Sequence, residues 1–272
     1  MVEMTFWNQF FVWPIINLLM VFYKAFETIH VPGPLGFAVI ALTITIRFLL
    51  YPLTRAQLRS AKQMAGLKPH LDALTTRHKG DKPALQKAQM DLYKQHGINP
   101  AAGCLPLIIQ MPVLIALYNV FYQVLQNGNM EKLVSDINTV VYLPALRIQS
   151  FDLSFFGVSL GLKPSLWQTQ GWWLLSIPVI TAALQFWQSK LMMPAVKPSV
   201  ISGQSSEKKI QKHSDQKEEP KTDTAAEMQK QMMLITPIMF GMFAFQFPLG
   251  LSLYWNIFGL FGIMQQLRVN KE

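Results

Sequence analysis

A permanent cation inside an apolar run constrains this chain more than any other feature. Leu35 to Leu53 reads LGFAVIALTITIRFLLYPL, with Arg47 set among the apolar side chains. A helix needs about 20 apolar residues to cross the hydrocarbon core of a bilayer, and this run is long enough. Holding an arginine at mid-bilayer costs roughly 2.5–3.5 kcal/mol on insertion scales, so such a charge points to function. At about 1.5 Å per residue, Arg47 lies roughly 5 Å from the middle of the run, toward Pro52. An arginine snorkelling from a helix end is the plainer account. Phe48, Leu49 and Leu50 still follow it, which places the charge within the run.

The remaining composition agrees with a membrane setting. Of 272 residues, 14% are charged and 51% are hydrophobic, whereas a soluble domain carries about 25% charged residues. A net charge of +9 would point to nucleic acid in a soluble protein. In a polytopic membrane protein the same excess follows from basic cytoplasmic loops, so no specific nucleic-acid partner is expected. The single cysteine, Cys104, excludes an intrachain disulfide and a multi-cysteine metal cluster. Ala101-Ala102-Gly103-Cys104 looks like a lipoprotein cleavage site but lies deep in the chain, and is set aside.

Read in order, the chain predicts five spans. In residues 1–33 no Lys or Arg precedes Lys24, so an ordinary secretory signal is not expected. Phe6–Phe26 is aromatic but interrupted by Asn8, Gln9, Pro14 and Asn17, and as residues it fits either a span or an interfacial helix. The first span is 34–53. Residues 54–104 are basic, and Leu58, Ala61, Met64, Leu67, Leu71 and Leu74 recur at helical spacing. Asp81 before Pro83 starts a second amphipathic helix, giving a helical hairpin whose charge places it in the cytoplasm. The second span, 105–126, contains Pro112; 127–170 is a mixed extracytoplasmic segment; the third span is 171–193, opened by Trp172 and Trp173. Residues 194–228, rich in Ser, Lys, Glu and Gln, read as a disordered cytoplasmic loop. Spans at 229–247 and 249–267 and a tail at 268–272 complete the chain, with the N-terminus outside and the C-terminus inside.

Polar residues then fall on span faces. Thr43, Arg47 and Tyr51 share one face of the first span, and Thr181, Gln185 and Gln188 one face of the third. The second offers Gln110, Asn119, Tyr122 and Gln126; the last offers Ser252, Trp255, Asn256, Gln265 and Gln266. Such stripes can be ordinary interhelical glue, at about 0.6 kcal/mol per bond. No Asp or Glu lies in any of the five spans, so Arg47 has no intramembrane counter-ion. A buried unpaired cation is very costly, which predicts a hydrated groove open to the cytoplasm and attractive to anionic guests. His30, His70, His78, His96 and His213 all fall outside the spans, and phosphate-binding glycine motifs are absent. No enzyme activity, metal or cofactor is expected.

Three segments carry a resemblance. TIRFLLYPLT (Thr45–Thr54), NPAAGCLPLIIQMP (Asn99–Pro112) and PLGLSLYWN (Pro248–Asn256) resemble, in order, the YidC family of membrane protein insertases. The resemblance covers nearly the whole chain. It implies an all-α membrane protein: five transmembrane helices around a cytoplasm-open hydrophilic groove, with a mobile cytoplasmic helical hairpin and an interfacial helix at Phe6–Phe26. It also implies that Arg47 is the groove arginine, that Gln185 is the polar groove residue of the third span, and that Trp255 is the aromatic position of the last. Thr43, Gln110, Thr181, Gln188 and Asn256 complete the expected groove.

The expected function is insertion of nascent membrane proteins into the bilayer of the bacterial cell membrane, with a Sec translocon and the ribosome as candidate partners. The tail at 268–272 is short, unlike the long basic ribosome-binding tail of the mitochondrial members of the family it resembles, so strong autonomous ribosome binding is not expected. The competing readings are a transporter of small anionic solutes and an assembly chaperone acting only beside a translocon.

Overall fold

The computed structural model describes residues 3–78, 80–98, 105–127, 130–192 and 224–271. Cys104, the start of the Asn99–Pro112 motif, most of the 194–228 segment and the side chain of Gln126 lie outside the described residues.

Local chemistry sets the element boundaries. Helix α1 (Trp13–Thr28) is preceded by one π-helical turn, Asn8–Val12. Pro14 has no N–H and its ring crowds the carbonyl four residues back, and the helix widens at that point. Gly33, at φ 79°, caps α2 (Pro34–Leu49) in a left-handed conformation, and Pro34 supplies a preset first turn. The run predicted as one span to residue 53 instead breaks at Leu50. There α2 bends by 63° into α3 (Tyr51–Gly66). Pro52 is the reason, since its ring clashes with the Phe48 carbonyl and it cannot donate to it.

Among the described residues the basic region holds three helices rather than two: α3, α4 (Lys68–Arg77) and α5 (Lys82–Gln95). Pro69 sits in the first turn of α4, where proline is tolerated as a starter. The Asp81 side chain caps α5 by accepting from the Ala84 N–H at 3.0 Å. Helices α4 and α5 pack on each other and bring the His70 and His96 rings to 6.2 Å.

The rest is α6 (Leu105–Asn127) and α7 (Met130–Val140), then a two-stranded antiparallel ribbon of β1 (Ser154–Phe155) and β2 (Val158–Ser159). After it come α8 (Trp167–Gln170), α9 (Ser176–Met192), α10 (Thr224–Gln246) and α11 (Leu249–Lys271). Helix α11 packs against α9, α2 and α6, while α10 packs mainly on α9 and α1 on α2. The core joins Ile16 and Leu19 of α1, Leu42 of α2, Leu117 and Phe121 of α6, and Tyr254 of α11.

One of the polar interruptions in the first segment is a clamp. Asn17, buried, donates to the Val140 carbonyl at 3.0 Å and accepts from the Tyr142 N–H at 2.7 Å, tying α1 to the end of α7. Asn17→Leu keeps the branched shape but cannot hydrogen-bond, so it strands both backbone groups. Each stranded group costs about 1–3 kcal/mol, so a stability loss of about 2 kcal/mol or more is expected, read as a lowered thermal midpoint in lipid nanodiscs.

The outward faces of α9, α10 and the end of α2 are apolar. Val179 and Trp187 of α9, Ile235, Ile238 and Met242 of α10, and Phe48 and Leu49 at the end of α2 are all exposed. Contiguous exposed apolar surface on this scale marks contact with lipid or another apolar partner. Among the described residues, Asn8–Thr28 is the one unbroken helix long and apolar enough to cross a membrane, and α2 with α3 qualifies as a bent pair. The interfacial assignment of the first segment therefore rests on the resemblance, not on helix length.

Candidate functional site

Arg47 comes near the end of α2, three residues before the bend at Leu50, and it is 5% exposed. Its side chain crosses to α11. There Nη1 donates to Gln265 Oε1 at 3.0 Å, and Nη2 donates to the backbone carbonyl of Phe258. The guanidinium carbon stands 3.4 Å above the centre of the Phe258 ring, a close cation–π contact. Among the described residues, Nε is buried with no hydrogen-bond partner. The charge that looked solitary in sequence is thus held entirely by neutral groups of the last helix.

The sequence of α11 explains how an arginine gets so close to a helical carbonyl. Tyr254, Phe258 and Gln265 recur at four and seven, so they form one stripe toward α2. Gly262, four residues after Phe258 and three before Gln265, lies within that stripe. A Cβ there would lie 2.6 Å from Gln188 Nε2 and 3.0 Å from Arg47 Nη2. Glycine leaves the notch that admits both side chains. Gln188 reaches it from α9, passing Gly259 with its Oε1 3.8 Å from where a Cβ would be.

The other expected groove residues divide. Thr43, one turn before Arg47, is buried and donates to the Val39 carbonyl at 2.6 Å. Thr181, also buried, donates to the Ile177 carbonyl at 2.9 Å. Both hydroxyl protons are spent within their own helices, and only the oxygens remain, as acceptors. Gln185 is half-buried, one turn before Gln188 on α9. Trp255 is buried in an aromatic cluster with Phe240, Phe243 and Phe247, and joins α11 to α10. Among the described residues, Gln110 Nε2 and Asn256 Oδ1 are buried without partners, as are Ser252 Oγ and the Tyr254 hydroxyl. Gln265, Phe258 and Gly262 were absent from the expected groove. Gln265 carried a signal as a polar residue in an apolar helix, and Phe258 and Gly262 carried none.

A helical chain with an apolar outer belt and a buried arginine seated between two helices is an all-α membrane protein. The chain belongs to the 60Kd inner membrane protein family, whose model matches residues 25–272. It is 29% identical over 274 residues to the membrane protein insertase YidC of Oceanobacillus iheyensis, covering 97% of this chain and 84% of that one. It is 30% identical over 263 residues to membrane protein insertase YidC 2 of Bacillus anthracis, covering 95% and 79%. It is also 28% identical over 249 residues to the chloroplast inner membrane ALBINO3-like protein 1 of Chlamydomonas reinhardtii. That match covers 88% of this chain but 44% of the relative.

Proposed function

We infer that this chain is a membrane protein insertase whose substrates are nascent membrane proteins, and that Arg47 receives their acidic polar segments. It is a multi-pass inner-membrane protein of a family defined by insertion rather than by catalysis. The observation that carries the site is the seat of Arg47, a buried cation with neutral partners and, among the described residues, an unpartnered Nε. Buried polar atoms without partners in α2, α6 and α11 support a hydrated interior, since each unmade bond costs about 1–3 kcal/mol that water or a guest would recover.

In this reading five spans place the N-terminus outside and the C-terminus inside, with Asn8–Thr28 along the outer interface. The α3–α5 region meets the emerging chain in the cytoplasm, where a ribosome and a Sec translocon can deliver it. A polar, acidic segment enters beside Arg47 and crosses part of the hydrocarbon while hydrated. The substrate's apolar helix meanwhile leaves along the exposed apolar face of α9 and α10. Partition into lipid drives the step at roughly 0.8 kcal/mol per buried CH₂, and the membrane potential favours outward movement of acidic groups. No covalent chemistry is required.

Reconstitution tests this. Liposomes containing the purified chain alone should insert a single-span protein with an acidic translocated tail, and protein-free liposomes should not. Failure without added translocon, with success when it is supplied, would reduce the protein to an assembly chaperone. Anion flux without a protein substrate would turn the reading toward a transporter.

A further inference from the structure

We propose that Gln265 is a resting partner of Arg47 that a substrate carboxylate must displace, so that this residue sets the preference of the site for acidic over merely polar segments. The proposal rests on the insertase reading and deepens it. At rest Arg47 is not available to a guest, because it is 5% exposed and two of its nitrogens donate to α11. One of those partners belongs to a helix backbone and stays in place with the helix. The other is a side chain and can swing away. Gln265 Oε1, at 3.0 Å from Nη1, is therefore the exchangeable half of the seat.

Exchange chemistry then discriminates between guests. The guanidinium offers a planar fork of donors, and a carboxylate meets it with two oxygens and a full charge. Gln265 meets it with one neutral oxygen. A serine, asparagine or backbone carbonyl of a passing substrate offers no more than Gln265 already gives, so it gains nothing by replacing it. A carboxylate gains a second bond and charge neutralisation, and does replace it. A competitor built into the site thus rejects neutral polar segments that an open arginine would also hold. The neighbouring Gln266 makes no bond to Arg47 among the described residues: its Nε2 donates to Asn270 Oδ1 at 3.0 Å, one turn farther along α11, and its Oε1 is buried without a partner there. Gln188 shares the Gly262 notch with Arg47 but comes from α9, so it can remain when Gln265 leaves.

Three full-length proteins in liposomes test this: wild type, Gln265→Ala and Gln265→Glu. Two readouts are taken. The first is the rate at which phenylglyoxal modifies Arg47, mapped by mass spectrometry, which needs no substrate. Gln265→Ala should raise that rate about threefold or more, and Gln265→Glu, by supplying a resident carboxylate, should lower it by a similar factor. The second is insertion of one single-span substrate with an Asp-containing tail and of its Asp→Asn counterpart. Gln265→Glu should slow the acidic substrate about tenfold, and Gln265→Ala should narrow the difference between the two substrates. Unchanged modification rates in Gln265→Ala, or wild-type insertion of the acidic substrate by Gln265→Glu, would overturn the proposal. If the wild type inserts neither substrate while Arg47 reactivity still follows residue 265, the insertase reading fails and the latch stands.

Discussion

Arg47→Glu is expected to reduce insertion of a single-span substrate with an acidic tail by at least about tenfold, while Arg47→Lys keeps a substantial part of the activity. A unit pair at 4 Å is worth about 4 kcal/mol at an effective dielectric of 20, and hydration of a wet seam discounts this severalfold. Even a third of that figure is a factor of about ten. Reversal of the charge also turns attraction into repulsion, so the loss should exceed that of Arg47→Leu. Lysine preserves the charge but loses the planar fork, and with it one of the two bonds to Phe258 and Gln265 and the flat stack on the Phe258 ring. It should therefore insert the acidic substrate more slowly than wild type and still faster than Arg47→Leu.

Two controls isolate electrostatics from folding. A glutamate at this place would face the Phe258 carbonyl and Gln265 Oε1, so thermal midpoints in nanodiscs must be taken for each variant. A substrate whose tail lacks acids should be slowed less by Arg47→Glu than the acidic one. Equal slowing of both would make Arg47 a packing residue, and equal insertion by wild type and Arg47→Glu would remove its charge from the mechanism altogether.

Arg47 was legible in sequence because a charge within an apolar run is a one-dimensional signal. Its seat was not, because the Arg47–Gln265 bond joins residues 218 apart and carboxamides in apolar helices look alike until two helices are placed side by side. The absence of acids from the spans led to water as the expected partner. The structure supplies neutral acceptors first, a carbonyl and an amide oxygen, and among the described residues leaves Nε without a partner. Asn17 shows the same limit. It reads as an interruption of an apolar segment, and its function as a clamp depends on Val140 and Tyr142, far along the chain. Pro52 reads as the end of a span, yet the bend falls two residues earlier, because proline acts on the carbonyl four positions back. The all-α membrane class was legible throughout, since it depends on composition and run length rather than on contacts.

Gly250→Ala is expected to be strongly destabilising, at about 3 kcal/mol or more where overpacking costs about 1–3 and occasionally exceeds that. The position that its Cβ would take is occupied by the ring of Phe121, which is itself fully buried on α6. The backbone has no room to retreat. The Gly250 N–H donates to the Leu160 carbonyl and the Leu249 N–H to the Leu162 carbonyl, both at 2.8 Å. Those bonds fasten the start of α11 to the segment that follows β2, and so hold the whole helix in register. A thermal midpoint far below wild type in nanodiscs is the expected result. Phe121→Leu should make room, so the double variant should lose less than the sum of the two single changes, as it does for groups in direct contact. Strict additivity would mean that the ring and the glycine do not touch. Because Phe258, Gly262 and Gln265 lie farther along the same helix, displacing its first turn should also loosen the Arg47 seat. The surviving folded fraction of Gly250→Ala should then show faster phenylglyoxal modification of Arg47 than wild type does.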